Sequence, residues 1–143
     1  MKVTIFRADA TEIDLAFGLV QEYYGAARVQ VRENRGEFGR QYFADDAGIL
    51  LARADGEVVG CVALRRLPDR PDCAEIKRMY LRVAYRGHGI ADALLNALEE
   101  YARAAGYRWL YLDTAADRVA AARFYERKGF VRCEGYRACA GRQ

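Results

Sequence analysis

The feature that most constrains this chain is a turn with two glycines between a predicted strand and a predicted helix. Its residues are Tyr85-Arg86-Gly87-His88-Gly89-Ile90-Ala91. Backbone amides at a helix N-terminus attract anions, and glycines, which lack a Cβ, let a phosphate approach the main chain. The segment therefore predicts a site for a phosphorylated ligand. The alternative is a tight turn that binds nothing.

Spacing excludes two common phosphate-binding loops. A Walker loop places Lys and then Ser or Thr directly after its last glycine, whereas Ile90 and Ala91 follow Gly89 here. A dinucleotide-binding fold needs a third glycine and an early parallel βαβ unit. This turn lies in mid-chain, after strands whose spacing predicts antiparallel pairing, so the phosphorylated ligand belongs to another class.

Periodicity predicts an α+β fold with a mixed, mostly antiparallel sheet flanked by helices in three layers. Asp55-Gly56 supplies the turn of a tight hairpin within it. Strands are predicted over residues 3–7, 48–53, 58–66, 74–83 and 109–112, with a final strand from Phe130. Helices are predicted over residues 16–24, 33–43, 89–105 and 115–128.

Residues 74–83 are expected to form a long central strand of mixed composition, suited to line a site. Because successive side chains of a strand point to opposite faces, strict alternation assigns two sets. One face is predicted to carry Glu75, Lys77, Met79 and Leu81, and the other Ile76, Arg78, Tyr80 and Arg82.

Composition narrows the class of protein. The 143 residues, 52% of them hydrophobic, predict a single domain over residues 1–143. A net charge of +3 is too small to indicate nucleic-acid binding. No apolar run approaches the roughly 20 residues of a membrane span, and Met1-Lys2-Val3 does not begin a signal peptide, so we expect a cytoplasmic protein without a membrane partner. Four cysteines without a C-x-x-C pair, with His88 as the only histidine, predict no metal site.

Three segments together resemble the GNAT superfamily of N-acetyltransferases, and the resemblance covers nearly the whole chain. They are Cys73-Ala74-Glu75-Ile76-Lys77-Arg78-Met79-Tyr80-Leu81-Arg82, Arg86-Gly87-His88-Gly89-Ile90-Ala91 and Ala121-Ala122-Arg123-Phe124-Tyr125-Glu126-Arg127-Lys128-Gly129-Phe130. The resemblance implies a central strand with a splayed bulge and acetyl-CoA as cosubstrate. It implies that the pantetheine arm hydrogen-bonds to the backbone at Met79, Tyr80 and Leu81, and that the pyrophosphate lies at Arg86, Gly87, His88, Gly89, Ile90 and Ala91.

The chain departs from the family pattern at three positions. Ala84 replaces the usual Gln or Arg before the first glycine, and Val83 replaces a common proline. Neither change removes a backbone amide that the cofactor needs. Arg118 replaces a frequent asparagine, and because an arginine can bind a phosphate, Arg118 is a further candidate for cofactor binding.

Acetyl transfer to an amine needs a base for the amine proton and an acid for the leaving thiolate. Glu75 matches the position of the general base in histone-type relatives, with an ion pair to Lys77 or Arg78 as the alternative. Tyr125 matches the tyrosine that points at the thioester sulfur, with a plain core position as the alternative. Asp113 and Tyr111 are second candidates for the base, acting through a water.

The histidine and the cysteines argue against other catalytic mechanisms, and the sequence does not identify the acetyl acceptor. His88 is interpreted as a neighbour of the phosphates, and Cys61 and Cys73 have no histidine partner for an acyl-cysteine route. The leading hypothesis is transfer in a ternary complex to a primary amine of a small-molecule, amino-acid-like or peptide acceptor. The acceptor is expected near Tyr23, Tyr24, Arg32, Glu33, Glu37, Asp45 and Glu134. The alternatives are a non-catalytic acyl-CoA-binding module and a protein N-acetyltransferase.

The C-terminus carries one more expectation. Residues 135–143 are too few and too basic to add the strand with which the family usually closes the sheet, so this strand is predicted to be shortened or missing. The strand from Phe130 would then present an open edge, and we expect a homodimer to cover it. The alternative is a monomer with a solvated edge.

Overall fold

The computed structural model describes residues 1–27, 34–113 and 119–133. Within them the sheet contains β1 (Val3–Arg7), β2 (Gly48–Ala54), β3 (Glu57–Leu67), β4 (Arg70–Leu81) and β5 (Trp109–Tyr111). The helices are α1 (Ile13–Ala27), α2 (Arg35–Tyr42), α3 (Ile90–Ala104) and α4 (Val119–Arg127). This order confirms the predicted α+β fold.

The strands lie in the order β1-β2-β3-β4-β5. The first four pair antiparallel, and β5 pairs parallel with β4. The hairpin between β2 and β3 turns at Asp55 and Gly56, which have φ values of 50° and 88°. These are the positive φ angles that a two-residue hairpin turn requires, and the sheet is mostly antiparallel as predicted.

Helices cover both faces of the sheet and enclose two separate cores. On one face Val20 of α1 and Phe38 of α2 pack with Cys61 and Ala63 of β3. On the other face Leu94 and Leu98 of α3 pack with Val62, and Tyr125 of α4 joins this second core. Because neighbouring residues of β3 serve opposite cores, the sheet forms the middle of three layers.

A bulge in β4 overturns the predicted assignment of its faces. Cys61 pairs with Tyr80 and Ala63 with Lys77, so β4 has one more residue than β3 over this stretch. Arg78, at the extra position, has a φ of 57°. Strict alternation fails because the added residue reverses the order of the side chains that follow it.

After the bulge, Met79 and Leu81 lie with Ile76 on the α3–α4 face. Tyr80 lies on the α1–α2 face with Cys61 and Ala63. The prediction that Met79 and Leu81 share a face with Glu75 and Lys77 is therefore wrong. The prediction that Tyr80 shares a face with Ile76 is wrong for the same reason.

The expectation of a strand starting at Phe130 is also wrong for residues 130–133, which form no strand. The amide of Gly129 donates to the carbonyl of Glu126, and the amide of Phe130 donates to that of Tyr125. With Gly129 at a φ of 96°, this is the Schellman arrangement that ends a helix. Phe130 caps α4, and the sequence after residue 133 lies outside the described residues.

Candidate active site

The most open part of the sheet lies between β4 and β5. These strands pair only at Cys73 with Trp109, Ala74 with Leu110 and Glu75 with Tyr111. β4 continues to Leu81, whereas β5 ends at Tyr111. In the described part of the chain no strand pairs with residues 79–81 on the β5 side. Their backbone groups can therefore receive an extended ligand as an added strand would.

A buried thiol stabilises the bulge that opens this gap. Cys61 is fully buried, and its Sγ donates to the carbonyl oxygen of Arg78 at 3.2 Å. Burial raises the pKa of Cys61 to about 12, so the thiol keeps its proton and acts as a donor. This contact was not predictable from sequence because it depends on the register of β3 against β4.

The glycine turn follows directly from the end of β4. A short 3-10 turn at Val83–Tyr85 leads into it, and Nε of Arg86 donates to the carbonyl oxygen of Leu81 at 2.8 Å. Arg86 thereby ties the turn to the last residue of the strand. The predicted pantetheine stretch and the predicted pyrophosphate turn are therefore consecutive and connected.

The turn has the geometry of an anion cradle. Gly87 and Gly89 have φ values of 82° and 79°, and a Cβ at either would meet nothing within 4 Å. Gly89 begins α3 without a side chain capping its first amides. Arg86 and His88 are exposed, and Ile90 is buried beneath the turn. Exposed amides at an uncapped helix N-terminus fit a phosphate group.

Glu75 is the one charged side chain in the described residues that is completely buried, with 0% exposure. Nε of Arg65 donates to its Oε1 at 3.0 Å, and Nη1 of Arg65 donates to Oε1 of Gln41 at 3.1 Å. Lys77 and Arg78 were the ion-pair partners expected from the sequence, and Arg65 was overlooked. Arg65 is directly opposite Glu75 in the pairing of β3 with β4, which turns the carboxylate towards the α1–α2 face.

Tyr125 lies on the opposite face of the sheet. Its side chain is 7% exposed and packs edge to face against Phe124 and Phe130, with ring centroids 5.2 and 5.6 Å apart. It borders a cavity of about 580 Å³ along β5, which Tyr111 and Asp113 also line. Glu75 and Tyr125 therefore flank β4 from its two faces, and the runner-up residues share the cavity with Tyr125.

The α1–α2 face near Tyr80 is rich in tyrosine and charge. Tyr23 packs against Tyr80 with centroids 5.8 Å apart. The hydroxyl of Tyr80 donates to Oε2 of Glu22 at 2.8 Å, and Nε of Arg82 donates to the same oxygen at 3.0 Å. The bond from Arg82 is the main cause of the lowered pKa of Glu22, and burial raises the pKa of Tyr80. Glu22, the partner of both residues, was not among the residues singled out from the sequence.

Other candidates for the acceptor site are dispersed. Glu37 forms a reciprocal cap with Asn34 at the start of α2, and Asp45 is exposed in the loop before β2. Four predicted site residues lie outside the described residues: Arg32, Glu33, Arg118 and Glu134.

Two features are absent from the described ranges. Among those residues, no group of three or more His, Cys, Asp or Glu side chains could hold a metal ion. No helix in that part of the chain combines the length and the apolar character that crossing a membrane requires.

Known proteins share this sequence pattern and this fold. The sequence profile of the Acetyltransferase (GNAT) family matches residues 16–130. A probable N-acetyltransferase, camello, from Xenopus tropicalis is 30% identical over 115 residues, which are 80% of this chain and 52% of that protein. N-acetylaspartate synthetase from the same organism is 37% identical over 92 residues, or 63% of this chain and 34% of that protein.

A solved structure of another acetyltransferase has the same fold as this chain. An aminoglycoside acetyltransferase from an uncultured soil metagenomic sample superposes with a TM-score of 0.76 at 26% identity, covering 94% of each chain. The chain spans about half the length of camello and of two further curated relatives that it matches. Because the family profile matches most of the sequence and the fold agrees, the chain belongs to the GNAT family of acetyltransferases.

Proposed function

We propose that this chain is an acetyl-CoA-dependent N-acetyltransferase that transfers the acetyl group to a primary amine of a small-molecule or amino-acid-like acceptor in a ternary complex. The observation that carries the proposal is the continuity of two features. Residues 79–81 of β4 have no strand beside them towards β5 in the described part of the chain, and they lead directly into the uncapped glycine turn at α3.

The cofactor-binding role follows from this backbone. Peptide groups of Met79, Tyr80 and Leu81 would pair with the amides of the pantetheine arm, and the amides of residues 87–91 would bind the pyrophosphate. The positive φ angles of Gly87 and Gly89, with open space around both, fit this role. Acetyl-CoA supplies a thioester whose carbonyl carbon can be attacked by an amine.

The chain's own side chains supply the proton transfers. In this proposal the carboxylate of Glu75 takes the proton of the attacking amine from the α1–α2 face, and Arg65 orients it. The hydroxyl of Tyr125 donates a proton to the departing thiolate from the other face. A thioester in the gap between β4 and β5 would be reached from both sides, which supports the division of roles. Asp113, at the end of β5, is the alternative base.

The test is a steady-state assay of thiol release with a panel of amines. We expect Glu75→Gln and Tyr125→Phe each to lower kcat by roughly 10²- to 10⁴-fold, the usual range for general acid–base catalysis, while CoA affinity stays within a few fold. Asp46→Asn is the matched control, because it removes a carboxylate paired with Arg66, the neighbour of Arg65 on β3.

Each outcome has a definite meaning. If Glu75→Gln keeps the full rate across pH and Asp113→Asn does not, the base is Asp113. If the protein binds CoA but releases no thiol with any amine of the panel, the chain is a non-catalytic acyl-CoA-binding module.

The homodimer stays a prediction. The contact was expected at the edge of a strand from Phe130, and residues 130–133 form no strand, so the prediction now concerns the oligomeric state and no longer that edge. Light scattering on a size-exclusion column tests this. A monomer mass at micromolar concentration that does not change on dilution would contradict it.

A further inference from the structure

We propose that the acceptor carries a carboxylate and that Arg78 binds it. The inference rests on the proposed acetyl transfer and names the class of acceptor: a compact primary amine with a nearby carboxylate, as in an amino acid. The evidence lies on the α1–α2 face of β4, on the side from which Glu75 would take the amine proton.

The charges on this face favour an anion. Two arginine–carboxylate pairs, Arg65 with Glu75 and Arg82 with Glu22, each have no net charge. Two further cations, Lys77 and Arg78, follow Glu75 on the same strand. Helix α2 contributes Glu37, which is engaged in the helix cap, and two cations, Arg40 and Arg35, of which Arg35 is paired with Asp14 of α1. Counted over the described residues, the face therefore carries a net positive charge, which would repel a polycationic acceptor and attract an anionic one.

Arg78 is held in an unusual conformation. It is a non-glycine residue with a φ of 57°, at the extra position of the bulge. A backbone of this kind costs energy and persists where the surrounding structure requires it, often at a binding site. The bulge directs Arg78 towards the two helices on the α1–α2 face, whereas Met79 turns to the other face.

Two tyrosine rings lie against the guanidinium of Arg78. Its central carbon lies 5.3 Å from the ring centroid of Tyr24 in α1 and 5.8 Å from that of Tyr42 in α2. Tyr42 is buried, so one of these supports is rigid. An arginine stacked on aromatic rings keeps a planar set of donors that matches the two oxygens of a carboxylate. Less conformational freedom is then lost when the ligand binds.

The position along β4 limits the size of the acceptor. Arg78 directly precedes residues 79–81, the proposed pantetheine stretch, and lies three residues after Glu75. At about 3.3 Å per residue, the backbone from Glu75 to Arg78 spans roughly 10 Å or less. A ligand that reaches both the proposed base and Arg78 therefore carries its amine and its carboxylate close together.

The experiment compares acceptors that differ only in the carboxylate. Thiol release is measured with L-amino acids, with their C-terminal amides and with spermidine. We expect kcat/KM to favour the acids over the matched amides by at least about 10-fold. Arg78→Gln should lower kcat/KM for the acids by about 10- to 100-fold, the usual effect of losing a charged hydrogen bond, and leave the amides unchanged.

Two variants separate binding from folding. Arg78→Lys keeps the charge and should restore part of the preference for acids. Arg53→Gln is the matched control, because Arg53 also stacks on an aromatic ring, that of Phe6, and lies on β2. CoA affinity should be the same in all of these proteins.

Several results would overturn the inference. Equal use of acids and amides by the wild-type protein, or an equal loss for both in Arg78→Gln, would remove the carboxylate role. A large loss of CoA affinity in Arg78→Gln would make Arg78 a residue that only shapes the bulge. If no amine is acetylated, the proposed function fails, and titration of the same acids into the CoA-bound protein by NMR decides the inference. Shifts that Arg78→Gln abolishes would support it, and their absence in the wild type would contradict it.

Discussion

The two halves of β4 belong to one strand but have different surroundings. Over residues 74–77 the strand pairs in unbroken register with β3 on one side, and over residues 73–75 it pairs with β5 on the other. From Arg78 onwards it carries an extra residue and, within the described residues, keeps only β3. The first half uses the backbone groups on its β5 side to bond that strand. The second half leaves the corresponding backbone groups open to a ligand. A binding site can thus arise from a regular strand through one inserted residue and one diverging neighbour.

The largest expected effect comes from the turn that follows the open half. Gly89→Val should abolish CoA binding, because a β-branched side chain at a φ of 79° strains the turn and projects into the space proposed for the pyrophosphate. In wild-type protein, CoA at 100 times its Kd should raise the free energy of unfolding by about 2.7 kcal/mol, measured as a rise in melting temperature.

Gly106→Val is the matched control for this variant. Gly106 follows the other end of α3 and has a φ of 93°, and a Cβ at this position would likewise meet nothing within 4 Å. Both variants should lose stability, about 1–2 kcal/mol from the left-handed backbone alone. Only Gly89→Val should lose the response to CoA. An unchanged melting curve of the wild type in millimolar CoA would contradict the assignment itself.

The turn was predictable from the sequence because its signal is local. Two glycines between an extended run and an amphipathic run determine both the turn and its chemistry. The hairpin at Asp55 and Gly56 was predictable for the same reason. The bulge in β4 was implied only by the family resemblance and its position at Arg78 was not predicted, since a single inserted residue leaves the hydrophobic pattern of β4 almost unchanged and an arginine gives no sign of a positive φ.

Contacts between residues far apart in the sequence could not be predicted either. The pair of Arg65 with Glu75 depends on the register of two strands, and strict alternation gave the wrong faces once β4 had a bulge. At Phe130 two local signals competed. The hydrophobic run favoured a strand, but the glycine before it allowed the chain to cap α4, and the packing of Phe130 on Tyr125 stabilised that outcome.

A smaller effect should distinguish the two halves of β4 through two cysteines, Cys61 of β3, which contacts the bulge, and Cys73 of β4 itself. Cys61→Ala removes the donor to the carbonyl oxygen of Arg78, so the bulge should be less well ordered. We expect KM for acetyl-CoA to rise by about 3- to 10-fold, in line with the loss of one hydrogen bond. Steady-state kinetics at saturating amine measure this value.

Cys73→Ala is the control in the half of the strand that pairs with β5. Cys73 is buried beside the paired stretch, and its Sγ lies 3.5 Å from Oδ1 of Asp72. Both variants should lose some stability from the small cavities that they leave. If both raise KM equally, the thiol of Cys61 has no special role at the bulge.

The smallest expected effect concerns the carboxylate that anchors the end of the open half. Glu22 accepts from Tyr80 and Arg82, and its pKa lies below the usual 4.5 in the folded protein. A lowered folded-state pKa stabilises the protein above the unfolded value, and this contribution disappears as the pH falls through the folded-state value. Glu22→Gln should therefore be less stable than wild type at neutral pH, and the difference should be smaller at an acid pH well below 4.5. Because Glu22 and Arg82 are 38% and 39% exposed, water screens the pair, and we expect less than about 1 kcal/mol. Urea unfolding at both pH values measures the difference, and a gap that stays constant or widens towards acid would show that Glu22 acts through packing rather than through its charge.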